Sequence, residues 1–174
     1  MIFQVGKSPG NAPNLNVVLY ESSGGILAIE SKFMEPFQRS KAKTYLKSKY
    51  FENGDAWARV GLPGCQVLAD EIRQNRAQFD LLDVAQLLKH MLGLASNQEH
   101  WQLLYLWYNP EGPAGDKHTS EIDSFRRLIG ADAKRFSSLT YQELFRRLCH
   151  FLGKQHLEYQ AYLRNRYFGS ATRP

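Results

Sequence analysis

Three consecutive segments decide the fold: Asn14-Leu15-Asn16-Val17-Val18-Leu19-Tyr20, the turn Ser22-Ser23-Gly24-Gly25, and Ile26-Leu27-Ala28-Ile29-Glu30-Ser31-Lys32-Phe33. The first is β-branched and aromatic, which suits a pleated, half-buried surface. The Ser/Gly quartet is a tight-turn signal. Together they predict a β-hairpin. Period-2 alternation puts Ala28, Glu30 and Lys32 on one face and Leu27, Ile29 and Phe33 on the other. On the first strand, Leu15, Val17 and Leu19 share a face, and Asn14, Asn16, Val18 and Tyr20 share the opposite one. Folding about Ser23 brings Asn16 level with Glu30. A polar cluster of Asn16, Glu30 and Lys32 is therefore expected on one face of the sheet. An acid and a lysine two apart on an apolar strand are costly unless each has a partner or a task.

Outward from the hairpin, Glu35-Pro36 ends the second strand and Ser40 to Lys49 reads as a short helix. Phe51 to Pro63 reads as irregular, and Cys65 to Gln78 has helical spacing. The clearest helix is Asp80 to Leu94, where Leu81, Val84, Ala85, Leu88, Met91 and Leu92 recur every three or four residues and Gly93 sits near the end. Trp101 to Tyr108 (WQLLYLWY) is apolar on both faces and predicts a central strand in a covered sheet. Asn109 to Asp116 reads as a loop. A helix is expected from about Thr119 to Leu128, with Ser120-x-x-Asp123 as its capping pattern. Ala133 to Ser138 reads as a short strand, Thr140-x-x-Glu143 as the cap of a helix to Leu152, and Lys154 to Tyr167 as a last helix. The order predicts an α/β domain with a mixed central β-sheet flanked by helices. Residues 1–13 read as a flexible lead-in, 14–168 as one domain and 169–174 as a tail.

Composition excludes several classes. The chain has 174 residues, 43% hydrophobic and 22% charged, which is ordinary globular composition. The longest apolar runs, such as Leu103 to Tyr108, are far short of the ~20 residues of a spanning helix, so no membrane partner is expected. Met1 to Gly10 has no apolar signal-peptide core, and two cysteines without CxxC spacing suit a reducing cytoplasm. No P-loop, dinucleotide fingerprint or nucleophile elbow occurs, so no nucleotide cofactor is expected. The five histidines show no zinc spacing.

The expected Asn16, Glu30 and Lys32 cluster suits metal-assisted phosphodiester hydrolysis. Mg²⁺ or Mn²⁺ wants carboxylate, carbonyl and water oxygens, and a nearby lysine favours developing phosphate charge. A solvated, inert Glu–Lys pair at a strand edge is the plain alternative. The segment with Leu15-Asn16 and, across the hairpin, Ile29-Glu30-Ser31-Lys32-Phe33 resembles the PD-(D/E)XK nuclease superfamily. The wider run Ala28 to Pro36 is similar to a branch of bacterial restriction-endonuclease-like proteins. The similarity extends through Asp83 to His90, Leu104 to Tyr108 and Tyr159 to Phe168.

This resemblance implies a restriction-endonuclease-like core, Mg²⁺-dependent hydrolysis of DNA, and a set of roles. Glu30 would ligate the metal, Ser31 would offer its backbone carbonyl, and Lys32 would be the catalytic lysine. Asn16 stands where the superfamily carries a metal-binding Asp. The missing charge is expected to weaken metal binding and to impair hydrolysis. The alternative is a catalytically inactive nucleic-acid-binding or partner-binding protein on the same fold. Superfamily members also carry a helix ahead of this hairpin, where this sequence has a loop-like stretch. The sheet face left underprotected would be relieved by a homodimer.

Several other residues carry two readings. Gln86 and His90 share a face of the main helix, and Gln86 is the expected site residue, orienting a water or phosphate. Glu35 would assist a second metal or face solvent. Arg39, Lys41, Lys43, Lys47 and Lys49 fall in a window without an acid. A solvated helix face and a DNA phosphate patch both fit them, and the four lysines are the expected nucleic-acid contacts. For Tyr159, Tyr162, Arg164, Arg166 and Tyr167, helix packing with snorkelled arginines is preferred over contact with nucleic acid.

Overall fold

The hairpin forms about the predicted turn, as seen in a computed structural model that describes residues 15–22, 24–37, 45–52 and 54–169. Strand β1 (Val17–Tyr20) runs antiparallel to β2 (Ile26–Lys32), with Val17 opposite Ile29 and Tyr20 opposite Ile26. Gly24 has φ +88° and donates its N–H to the Glu21 carbonyl, a conformation that favours glycine. Strands β3 (Trp101–Trp107) and β4 (Phe136–Thr140) then add in parallel, giving the order β1-β2-β3-β4. The sheet is mixed, and β3 lies inside it, as its apolar sequence predicts.

Parallel neighbours need crossovers, and helices supply them. Between β2 and β3 lie α1 (Ala56–Arg59), α2 (Pro63–Arg73) and α3 (Val84–Asn97). Helix α4 (Pro113–Leu128) joins β3 to β4. Helices α5 (Tyr141–Leu152) and α6 (Leu157–Leu163) follow, and a π-turn over Arg164–Phe168 continues α6. The caps explain the starts. Asp83 accepts the Gln86 N–H at α3, and Thr140 accepts the Glu143 N–H at α5. Helix α2 is capped from far away: the buried Asp132 carboxylate accepts the Cys65 N–H at 2.9 Å.

Several expectations need correction. Helix α4 begins at Pro113, ahead of the expected Thr119, because proline fits a first helical turn, where its missing N–H is not needed. Ser120 and Asp123 therefore lie inside it. Gly93 is likewise internal to α3. The expected helix over 40–49 falls partly outside the described residues. Its described part, Tyr45 to Lys47, is not helical, and a single 3-10 turn covers Ser48–Tyr50. Leu46 is buried, and Tyr50 and Phe51 pack 5.9 and 6.0 Å from the Trp57 ring, so packing overrides helix propensity. The expected lead-in, residues 1–13, lies outside the described residues.

The core sits between one sheet face and helices α1 to α4. Ile26, Ala28, Leu103 and Tyr105 meet Trp57, Leu68, Leu88, Met91 and Phe125 there. The opposite sheet face is only partly covered, against the expectation for β3: Leu27, Ile29 and Leu104 are half-buried, and Val17 and Gln102 are exposed. Among the described residues no helix is long and apolar enough to cross a membrane.

Two features of this core make testable statements. A Cβ on Gly64 would run into the Ile129 carbonyl oxygen, so α2 and the chain after α4 touch backbone to backbone. Gly64→Ala is expected to destabilise the protein by at least about 2 kcal/mol in a denaturant titration. His118 is fully buried, with Nε2 3.0 Å from the Tyr105 hydroxyl and its ring against Trp107. Burial pushes its pKa down to about 4, below the 6.5 of an unfolded histidine. Between those values the unfolded chain holds the extra proton, so stability falls as pH drops from about 6.5 to about 4. The loss should be on the order of 3 kcal/mol, and His118→Gln should flatten the pH dependence of the unfolding midpoint.

Candidate active site

Strands β2, β3 and β4 all end on the same side of the molecule, the side where open α/β sheets place their ligands. Lys32, Trp107 and Thr140 are the last residues of these strands, and α5 starts there. Alternation along β2 turns Glu30 inward with Ala28, so its carboxylate is buried with 1% of its surface exposed. That charge has two partners. Lys32 Nζ lies 2.8 Å from Oε1, and His90 Nε2 lies 2.9 Å from Oε2. Lys32 reaches the surface, whereas the His90 side chain is fully buried on α3.

Burial by itself raises the Glu30 pKa, but the adjoining His90 ring and Lys32 ammonium outweigh it. The carboxyl is held below its ordinary value. The triad therefore keeps a buried anion ionised and fixes a lysine at the strand end. The His90 approach lies off the line of a good hydrogen bond, so Glu30 Oε2 and both ring nitrogens keep unused bonding capacity.

The other expected site residues are placed differently. Asn16 follows the hairpin register to the level of Glu30, yet its Oδ1 accepts the Ser31 N–H at 2.7 Å. The amide thus completes the β1–β2 ladder where β1 has already ended. Ser31 Oγ is 2.6 Å from the Tyr141 hydroxyl, which ties β2 to the start of α5. Glu35 accepts the Phe33 N–H at 2.7 Å and is exposed. Gln86 is half-buried and its side chain makes no hydrogen bond among the described residues. His90, one turn later, is the α3 residue that reaches Glu30. Lys47 and Lys49 are exposed beside the 3-10 turn, and Lys49 lies over the Tyr50 ring. Lys41 and Lys43 lie outside the described residues, so no lysine helix face is formed by the described part.

His90 was legible in part. It falls on the apolar stripe of Leu87 and Leu94, which marks it as inward. What the stripe does not encode is the strand it crosses.

The expected metal donors are the Glu30 carboxylate, the Asn16 amide oxygen and the Ser31 carbonyl. Glu30 is ion-paired with Lys32 and in contact with His90, and Asn16 is engaged by a backbone N–H. Among the described residues no three His, Cys, Asp or Glu side chains group as a metal site. Hard dications are held chiefly by carboxylates, and one carboxylate is a thin supply. This donor set does not fit a tightly held Mg²⁺ or Mn²⁺ ion.

Comparison with known proteins finds a family match. The model of a family described as "restriction endonuclease associating with ARP" matches residues 3–168. No curated protein and no solved structure matches the chain.

The triad makes a quantitative statement about stability. His90→Leu strips Glu30 of its buried partner and should cost roughly 3–5 kcal/mol. Removing both side chains in Glu30→Leu/His90→Leu should cost clearly less than the two single changes summed. Denaturant titration of the four proteins checks this, and additive costs would show that the two side chains do not interact.

Proposed function

Because the chain belongs to this restriction-endonuclease family, we propose that it is a nuclease-type domain that engages DNA phosphodiesters at the Lys32 end of β2. The observation that carries the reading is the Lys32–Glu30–His90 triad. It sets a partly exposed cation at the ends of the parallel strands β2, β3 and β4 and holds it there from inside. In this reading Lys32 Nζ faces a phosphate oxygen and favours negative charge developing on it. Glu30 orients that ammonium, and His90 holds Glu30 in place. Ser31 and Tyr141 fix the strand end against α5. The lysines Lys41, Lys43, Lys47 and Lys49 are proposed as further phosphate contacts.

The finer assignment is to the PD-(D/E)XK nucleases. On that assignment Asn16 is a substituted metal ligand, and the chain is a DNA-binding member with hydrolysis reduced or lost. Asn16→Asp is a mild change in shape, because a carboxylate oxygen accepts the Ser31 N–H as the amide does. It adds the second negative charge that a hard cation needs.

The test is nicking of supercoiled plasmid with added Mg²⁺ or Mn²⁺. The chain as it stands should cleave slowly or not at all. Asn16→Asp should cleave at least about tenfold faster, the effect expected of a restored ligand. Asn16→Asp/Lys32→Ala should be inactive. Cleavage by the unchanged chain that survives Lys32→Ala would sink the proposal.

A further inference from the structure

The C-terminal stretch carries a file of aromatic and cationic side chains that the triad does not use. Tyr159, Tyr162 and Arg166 recur every three or four residues along α6 and the π-turn, which puts them on one side. The Tyr159 and Tyr162 rings stack, with centroids 6.3 Å apart and 17° between planes. The Arg166 guanidinium lies 5.9 Å from the Tyr162 ring and 5.6 Å from the Tyr167 ring. Tyr159 and Tyr162 are 58% and 52% exposed, and Tyr167, packed against Phe33 and Phe168, is still 43% exposed. Neither Arg164 nor Arg166 has a carboxylate partner among the described residues. The expected packing is met in part: Tyr167 lies against Phe33 and Phe168 and Arg166 lies over two rings, whereas Tyr159 and Tyr162 stand largely in solvent. The file also leads to the candidate site, since the Tyr167 ring lies 6.2 Å from the ring of Phe33, the residue after Lys32.

We infer that this file is a stacking track for unpaired bases of single-stranded DNA, leading to the Lys32 end of β2. Every base offers a π-face, and a tyrosine ring takes it without regard to sequence. The two unneutralised arginines match the charge of the backbone that accompanies those bases. Bases within a duplex are stacked on one another and have no free face to offer, so the track discriminates in favour of single strands or frayed ends. The inference rests on the reading that the chain acts on DNA. It concerns binding alone.

The experiment is fluorescence anisotropy with a labelled mixed-sequence oligonucleotide, single-stranded and annealed to its complement, in EDTA at low salt. The full chain should bind the single strand more tightly than the duplex. Tyr159→Ala/Tyr162→Ala should lose about tenfold or more in affinity, while Tyr159→Phe/Tyr162→Phe keeps it. Arg166→Gln should weaken binding and lower the salt slope by about one. Both tyrosines are surface residues, and matching thermal melts will show that the variants remain folded. Equal binding by the double alanine variant overturns the track, as does equal binding of duplex, or no binding of either DNA. Binding that depends on the tyrosines in a protein whose Asn16→Asp variant never nicks plasmid leaves this inference standing and removes hydrolysis alone. Binding indifferent to the tyrosines in a protein that nicks removes this inference alone.

Discussion

A carboxylate buried inside a protein must be compensated, and the compensation of Glu30 organises the molecule around it. Its two oxygens face different elements: one meets Lys32 on the same strand, the other His90 on α3. The contact with His90 fixes α3 against the sheet at one point of its length. The contact with Lys32 fixes where a cation emerges. Lost solvation is offset only if both partners stay in place, so the demand for good geometry is strong. The apolar packing of Leu88 and Met91 against the strands supports that geometry but does not specify it.

The hairpin, the central strand and the cap at Thr140 were legible because their signals are local, whereas the cap at Asp83, inside the helix expected from Asp80, was not. A two-residue period, a Gly-rich turn and a side chain that accepts a nearby N–H are all written within a few residues. The partner of Glu30 was not legible to the same degree. His90 is marked as inward by its stripe, but which strand an α3 residue meets is decided by the crossover. Two local signals misled for a related reason. Pro113 reads as a breaker in isolation, yet at the first turn of α4 it is favoured. Leu46 reads as part of a lysine-rich helix, yet its burial holds the segment in a non-helical path.

Asn16 shows how one side chain can carry two histories. Viewed as a member of a ligand set, it is short of a charge. Viewed as part of the sheet, it is well employed, because it gives Ser31 the acceptor that β1 would otherwise supply. Backbone groups at a strand end must find partners, and a short polar side chain is an economical one. The position is therefore occupied for a reason that does not depend on catalysis.

The main core gathers its buried residues between Ile26 and Phe136, and none of its members comes from α5 or α6. Those helices close on an aromatic cluster at the strand ends, in which Phe145 stacks on Phe168 at 4.7 Å and Tyr141 and Tyr167 meet Phe33, and Leu148 and Phe151 remain exposed. The link between them holds two left-handed residues, Gly153 and His156, the second in a conformation that L side chains rarely adopt. The chain thus has two tiers of cooperativity. The thinner burial of the C-terminal pair is expected to let it open as a unit while the sheet and its inner helices stay native. Amide hydrogens of α5 and α6 should then exchange with solvent faster than those of β3.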